Sequence, residues 1–443
     1  MEKELPKGWV ETDIDTVTSR ITNGSSLKQE EESNEGTYPI SRIETIWNET
    51  IDLTRVKYVT PSQQEIEKFK ILKGDVLFSH INSDKHLGKT AVFNLDEVVI
   101  HGINLLLLRT VHQFDGYYFN YLLRHYRYSG LFIEAAQRSV NQSSINQKKL
   151  KTFKVPLPPL AEQQRIVAKL DTLFGHLENV KSRLENIPTL LKNFRQAVLT
   201  QAVTGKLTEQ WREGKELEEW EEKSSSEIFD FITSGSRGWA QYYSPMGKQL
   251  FVRITNMSYS SYHLNLEHEK LQFLELPNSS EGKRTLLKER DVLISITADI
   301  GMIALIPKDF KYEAYVNQHV CLARPNKTIN EMYLVNFLMS KKGFGQLEQK
   351  KRGATKVGLT LGDIKNLKID TPPLPEQTEI VRRVESLFAK ADAIEAQYNS
   401  LKQKIDNLPQ ALLAKAFKGE LVEQLPTDGD AKALLAEIQK LKY

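Results

Sequence analysis

Cysteine is nearly absent from these 443 residues. The only one, Cys321, lies in the apolar run HVCLA, so no disulfide framework or thiolate metal cage is available and core filling is expected. No stretch of about 18 consecutive apolar residues occurs, and the opening MEKELPKGWV lacks the basic-then-apolar order of an export signal. The expectation is a soluble, unexported protein of the cytoplasm. Catalytic signatures are missing as well. LGKT at 87–90 resembles the end of a phosphate-binding loop, but that motif needs glycine at position 83, which is Ser83. There is no GxGxxG, and neither an Asn-Pro-Pro-aromatic nor a DPPY methylation motif. His263 and His268 approach ligand spacing, yet nothing beside them completes a metal site. A chain with no active site, cofactor or metal of its own is expected.

A long helix pattern is present, and it is present twice. PPLAEQQRIVAKLDTLF begins at Pro158 and PPLPEQTEIVRRVESLF at Pro372, an offset of 214 residues, and the match continues without a gap to Gln210 and Gln424. The identities include Glu162/Glu376, Gln163/Gln377, Phe174/Phe388 and Gly205/Gly419. Apolar residues step by four and three through Ile166, Leu170, Leu173, Leu177, Val180 and Leu184, and in phase through Ile380, Val384, Leu387, Ala391, Ile394 and Tyr398. That spacing marks a narrow coiled-coil seam, so each helix requires a partner, and pairing within one chain is the economical solution. A break is expected near Pro188 and near Pro409, because proline removes a backbone hydrogen bond.

The intervening segments repeat too. Trp9 falls over Trp220 and Gly24 over Gly235; KGDVLFS parallels ERDVLIS, and the aromatic stretches YYFNYLLRH and MYLVNFLMS follow in each half. Short runs of Val, Ile, Leu and Phe bounded by Gly, Asn, Asp and Ser predict strands with a helix or two after them. The fold class is therefore α+β: two similar globules of mixed β-sheet with helices, each followed by a long helix, the two helices pairing.

Formal net charge is only +3, but its distribution is uneven, and distribution is what a polyanion senses. Between Arg138 and Lys154 there are five cations and no acid, among them Lys148, Lys149 and Lys151. The second half has Lys350, Lys351, Arg352 and Lys356 in KKGFGQLEQKKRGATK. Interleaved amides such as Asn141 and Gln142 suit base edges, while Lys and Arg suit phosphates. A solvated basic loop is the bland alternative. Lys85, Lys89 and Arg237 join the candidates for DNA contact. Arg42 and Arg253 end paired strands, where an inward structural arginine competes with a phosphate contact.

Two variable globules alternating with matched helices, together with LPKGW, PPLAEQQRIV and TPPLPEQTEIVRRVESLFAKAD, closely resemble the specificity subunit of type I restriction-modification systems. The resemblance covers nearly the whole chain. It implies two target-recognition domains at 1–155 and 211–370, helical spacers at 156–210 and 371–424, and a tail with a short helix at 425–443. It also implies an antiparallel coiled coil with pseudo-twofold repetition, holding two half-site readers at a fixed spacing on double-stranded DNA. Partners would be two methyltransferase subunits, bringing S-adenosylmethionine, and restriction subunits using ATP and Mg. The other readings are a protein- or DNA-binding scaffold outside such a system, and a single-chain restriction-methylation enzyme, which the missing motifs disfavour.

Overall fold

In the computed structural model, residues 5–139, 142–235, 237–277, 282–351 and 358–442 are described. The chain divides into two units. The first comprises Met1–Leu184 with Ser400–Tyr443, the second Glu185–Asn399.

In the first unit a four-stranded antiparallel sheet runs in the order Thr18–Asn23, Leu106–Thr110, Val76–Phe78, Thr90–Val92. In its central strands Val76–Phe78 and the three leucines 106–108 are buried, while Arg109 and Thr110 are half-buried, as expected for strands covered on both faces over most of their length. The helix Gly116–Tyr128 packs on it through Tyr118, Phe119, Leu122 and Leu123, after Asp115 caps its first turn by accepting from the amides of Tyr117 and Tyr118. A two-stranded ribbon, Val10–Asp13 with Lys154–Leu157, closes the unit. A small sheet of Gln137–Ser139, Gln142–Ser144 and Ile81–Asn82 lies to one side.

The second unit repeats the main sheet and the ribbon, and in place of the small sheets it has a three-stranded one of Phe273–Leu274, Gln249–Val252 and Ala314–Val316. Its four-stranded sheet is ordered Phe229–Ser234, Val320–Pro325, Val292–Ser295, Ile303–Leu305, and its ribbon pairs Glu221–Ser224 with Lys368–Thr371. Cys321 is fully buried in the central strand, as the sequence predicts, and burial pushes its thiol up to about 12. Each sheet carries the same bidentate ion pair: Arg109 with Asp75 at 2.7 and 2.6 Å, and Arg324 with Asp291 at 2.7 and 2.7 Å. The aspartate of the repeated "DVL" thereby ties a strand start to its neighbour.

Gly24 and Gly235 are required by close packing. A Cβ would lie 2.2 Å from the His101 carbonyl oxygen in one unit and 1.9 Å from that of Val316 in the other. Gly235→Ala is expected to cost about 1–3 kcal/mol through the forced backbone shift; a chemical-denaturation midpoint equal to wild type would refute the required contact.

The first helical region is split into Leu160–Glu185 and Ile187–Ala202, with Pro188 in the first turn of the second piece. The break expected at Pro409 does not occur: Leu374–Ala416 is one helix with the proline inside it. Burial of Ile405, Leu413 and Ala416 on either side offsets the roughly 3 kcal/mol that an internal proline costs. Within the first unit Ile166, Leu170 and Phe174 share a core with Leu412, Leu413 and Ala416. Within the second, Val198, Leu199 and Ala202 share one with Ile380, Val384 and Leu387. The start of each helical region thus meets the end of the other, which is antiparallel pairing.

Burial along the seam is uneven. Ile166, Leu170, Leu177, Ile380, Val384 and Ala391 are buried, whereas Leu173, Leu184, Leu387 and Tyr398 are half-buried. Val180 and Ile394 are 42% and 49% exposed. The short helix Ala431–Lys442 packs back on the first unit through Ile438, Leu434 and Leu435. No helix among the described residues is long and apolar enough to cross a membrane.

Candidate nucleic-acid interface

The Glu-Gln pair that opens both long helices is a structural clamp. Glu162 accepts from the Trp9 indole at 3.1 Å, and Glu376 from the Trp220 indole at 3.0 Å. Gln163 accepts from the Asp115 amide at 3.0 Å and donates to the Pro158 carbonyl at 2.9 Å. Gln377 does the same with Asn330 and Pro372, at 2.7 Å each. All four residues are buried. A helix start fixed in the core by an accepting carboxylate and an amide that both accepts and donates cannot swivel against its globule, so the direction of each helix is set by the sheet that precedes it. Burial raises the Glu162 carboxyl above its ordinary range, against the lowering effect of the Trp9 and Gln424 bonds.

In the first unit, polar side chains collect at the end of the sheet where Asn23 and Phe78 stand opposite Leu106. Gln147 donates to Asn23 at 2.7 Å, and Asn23 in turn faces His80 Nε2 at 3.4 Å. His80 Nδ1 and Ser79 Oγ are buried without a partner among the described residues, and burial lowers the His80 pKa. Beyond them Ile81–Asn82 pairs with the hairpin strand Gln142–Ser144, whose Ser143 donates to Asp84. Arg138, on the other hairpin strand, is exposed and lies 4.0 Å from Asp84. Gln142 is exposed; Asn141 lies outside the described residues. Lys85 is exposed and Lys89 half-buried in the turn after Asn82.

The stretch read as a basic loop is a hairpin followed by a helix, Gln147–Lys151, capped by Asn146. Its charge is also less free than the sequence implies. Lys151 pairs with Asp15 at 2.9 Å and Lys154 with Glu11 at 3.4 Å, so acids from the opposite end of the domain's sequence neutralise part of it. Lys148 and Lys149 are exposed. Arg42 lies 3.5 Å from Glu44 and keeps 28% of its side chain exposed.

The second unit departs from the expected loop in the same way, since Lys341–Gln349 is a helix capped by Ser340. Lys350 is half-buried at its end, and Lys351 pairs with Glu348. Arg352 and Lys356 lie outside the described residues. Arg237 is exposed. Arg253 donates to the Lys270 carbonyl at 3.3 Å while its Nε is buried, which matches the inward structural role. At the sheet end His319 meets Thr297 and, at 3.0 Å, Gln318.

Sequence reading missed Asn23, His80 and Gln147 in the first unit and Thr297, Gln318 and His319 in the second. Those of the first unit are far apart along the chain, Gln318 and His319 of the second are adjacent, and neither set carries a motif; the only available signal was their position just beyond the repeated strands. No group of three or more His, Cys, Asp or Glu poised to hold a metal occurs among the described residues.

A sheet-and-helix unit present twice, each time with polar side chains gathered at one sheet end and a helix clamped to its exit, defines a duplicated recognition protein. A family model described as the type I restriction modification DNA specificity domain matches residues 6–189 and again 218–403; the chain belongs to that family. It is 31% identical to the putative type I restriction enzyme MjaX specificity subunit of Methanocaldococcus jannaschii, over 91% of this chain and 93% of that protein. It is equally 31% identical to the type I restriction enzyme EcoKI specificity subunit of Escherichia coli strain K12, over 98% and 96%. Its fold matches the crystal structure of the HsdS subunit from Thermoanaerobacter tengcongensis with a TM-score of 0.60, 20% identity, and coverage of 95% and 99%. A chain from a structure of type I R-M complex assembly and conformational transition matches with a TM-score of 0.69 and 20% identity, over 94% and 100%.

Proposed function

We propose that this chain is the DNA specificity subunit of a type I restriction-modification complex, without catalytic chemistry of its own, working in the cytoplasm. Each unit reads one half of a bipartite site, and the paired helices set the spacing and dock two methyltransferase subunits. Those partners carry S-adenosylmethionine, and restriction subunits carry ATP and Mg. The observation that carries the reading is the duplication itself: one fold twice, with the core ion pair and the helix clamp kept and the sheet-end side chains changed. Asn23, His80 and Gln147 stand where Ser234, Ile296 and Leu361 stand in the other unit. Differing readers on equal scaffolds require an asymmetric target, with phosphate contacts giving affinity and base edges giving sequence. Co-expressed with its methyltransferase partner, the chain is expected to direct adenine methylation to a single split motif. Genome-wide methylation mapping checks this, and a continuous motif, or none, overturns it.

A further inference from the structure

The turn that joins an inner strand of the sheet to the edge strand beside it differs sharply between the units. In the first it spans residues 79–89 and carries Lys85, His86 and Lys89. In the second the equivalent segment, 296–302, reads ITADIGM; it has no cation and contains Asp299. The adjoining helix differs in the same sense. Tyr118 and Tyr333 each bond the ribbon strand, to the carbonyls of Pro156 and Asp370, which aligns Arg124 with Met339 and Arg127 with Lys342. Arg127 donates to the Lys85 carbonyl at 3.2 Å, drawing helix and turn together. Lys342 instead pairs with Asp370.

Lys89, Arg124 and Arg127 line a cleft of about 770 Å³ in the first unit. Three acids line the cleft, Glu49, Asp171 and Glu178, against Lys89, Arg124, Arg127 and Lys181; Asp171 accepts from Tyr121 at 2.5 Å, and Glu49 pairs with Arg124 and accepts from Tyr128 at 2.5 Å, leaving Arg127 at 3.8 Å. Lys85 and Lys89 have no carboxylate within ion-pair distance among the described residues. The surplus is positive, and burial, with repulsion from neighbouring cations after it, pushes the His86 and Lys89 pKa values down. The same turn holds Asp84, which bonds Ser143 of the hairpin beside the sheet end, so the cations continue the face assigned above to DNA. That continuity favours a nucleic-acid backbone over an acidic protein.

We infer that Lys85, Lys89 and Arg127 form a phosphate anchor for the DNA strand beside the first half-site, and that the second unit has no equivalent at this turn. The inference rests on the DNA-reading function proposed above. The first unit supplies electrostatic grip at this position, while the second depends on its other contacts.

The test uses the full chain with its methyltransferase partner and a duplex bearing the methylated motif. Each phosphate contact adds about 0.9 to the slope of log K against log salt concentration. The double variant Lys85→Gln, Lys89→Gln is expected to lower that slope by about 2 and leave the methylated motif unchanged; Lys85→Arg with Lys89→Arg is expected to restore it. Because Lys89 is half-buried, the exposed single variant Lys85→Glu is measured too, with an expected drop of at least about 1. An unchanged slope in these variants, or an altered motif, overturns the anchor. A wild-type complex with no salt-sensitive DNA affinity overturns the DNA-reading function as well.

Discussion

Arg212→Ala is expected to destabilise the second unit by about 3 kcal/mol, the usual scale for stripping one partner from a buried ion pair. Glu376 is wholly buried, and three groups satisfy it: Thr208 donates at 2.7 Å, Trp220 at 3.0 Å, and Arg212 supplies the countercharge. Arg212 also donates to the Glu218 carbonyl at 3.1 Å, and it keeps 23% of its side chain in water; solvent screening therefore holds the effect at the lower end of the range. Removing it leaves a carboxylate in the core with two neutral donors and no compensating charge. Glu376→Gln in the Arg212→Ala background is expected to recover roughly 1–2 kcal/mol, since the stranded charge is then gone while the donors still have an oxygen to meet. Denaturation of the two single variants and the double variant checks this; strictly additive losses would show that the pair is not coupled. The first unit offers a natural comparison. The residues aligned with Thr208 and Arg212 are Val422 and Pro426, and there the Glu162 carboxyl, lacking that arginine, is raised by burial.

Acidification is expected to weaken the first unit between about pH 6.5 and 4. His101 is buried beside Ser41 and the Thr22 carbonyl, and burial holds its pKa down at about 4. In the unfolded chain it returns to about 6.5. Over that interval the unfolded state binds a proton that the folded state refuses, so stability falls as pH falls. The contribution is fully present above about pH 6.5. It declines by about 2 kcal/mol at pH 5 and by about 3 kcal/mol once both states are protonated. His101→Gln is expected to remove this slope while leaving the carboxylate contributions. Urea midpoints at pH 7.5 and 5.0 decide the matter: an equal drop in variant and wild type would mean that His101 is not responsible. The second unit has Val316 at this place, its carbonyl meeting Gly235 as that of His101 meets Gly24, so it lacks this sensitivity.

The repeat was legible in one dimension because duplication leaves the same residues at a constant offset. Trp9 over Trp220 and Glu-Gln over Glu-Gln marked the clamps before any contact was known. Their roles were not legible: Trp9 meets Glu162 across 153 residues of sequence, and only the closed ribbon brings them together. Charge was read least well. Asp15 and Glu11 reach Lys151 and Lys154 through the pairing of Val10–Asp13 with Lys154–Leu157, a neutralisation invisible in a local window. Pro409 failed as a helix breaker for the same reason, since its local cost is set against burial contributed by distant residues.

By itself the sequence determined the duplicated plan, the α+β class, the helices with their four-three apolar spacing and the absence of catalytic motifs, all of which are local patterns or constant-offset matches. Tertiary structure alone decided which cations are left without acids and which polar side chains meet at the sheet ends. It also decided where the helix seams are buried. Each of these depends on groups that folding brings together, Gln147 with Asn23 across 124 residues and Thr297 with His319 across 22, and a screened or desolvated charge is a property of its neighbours in space.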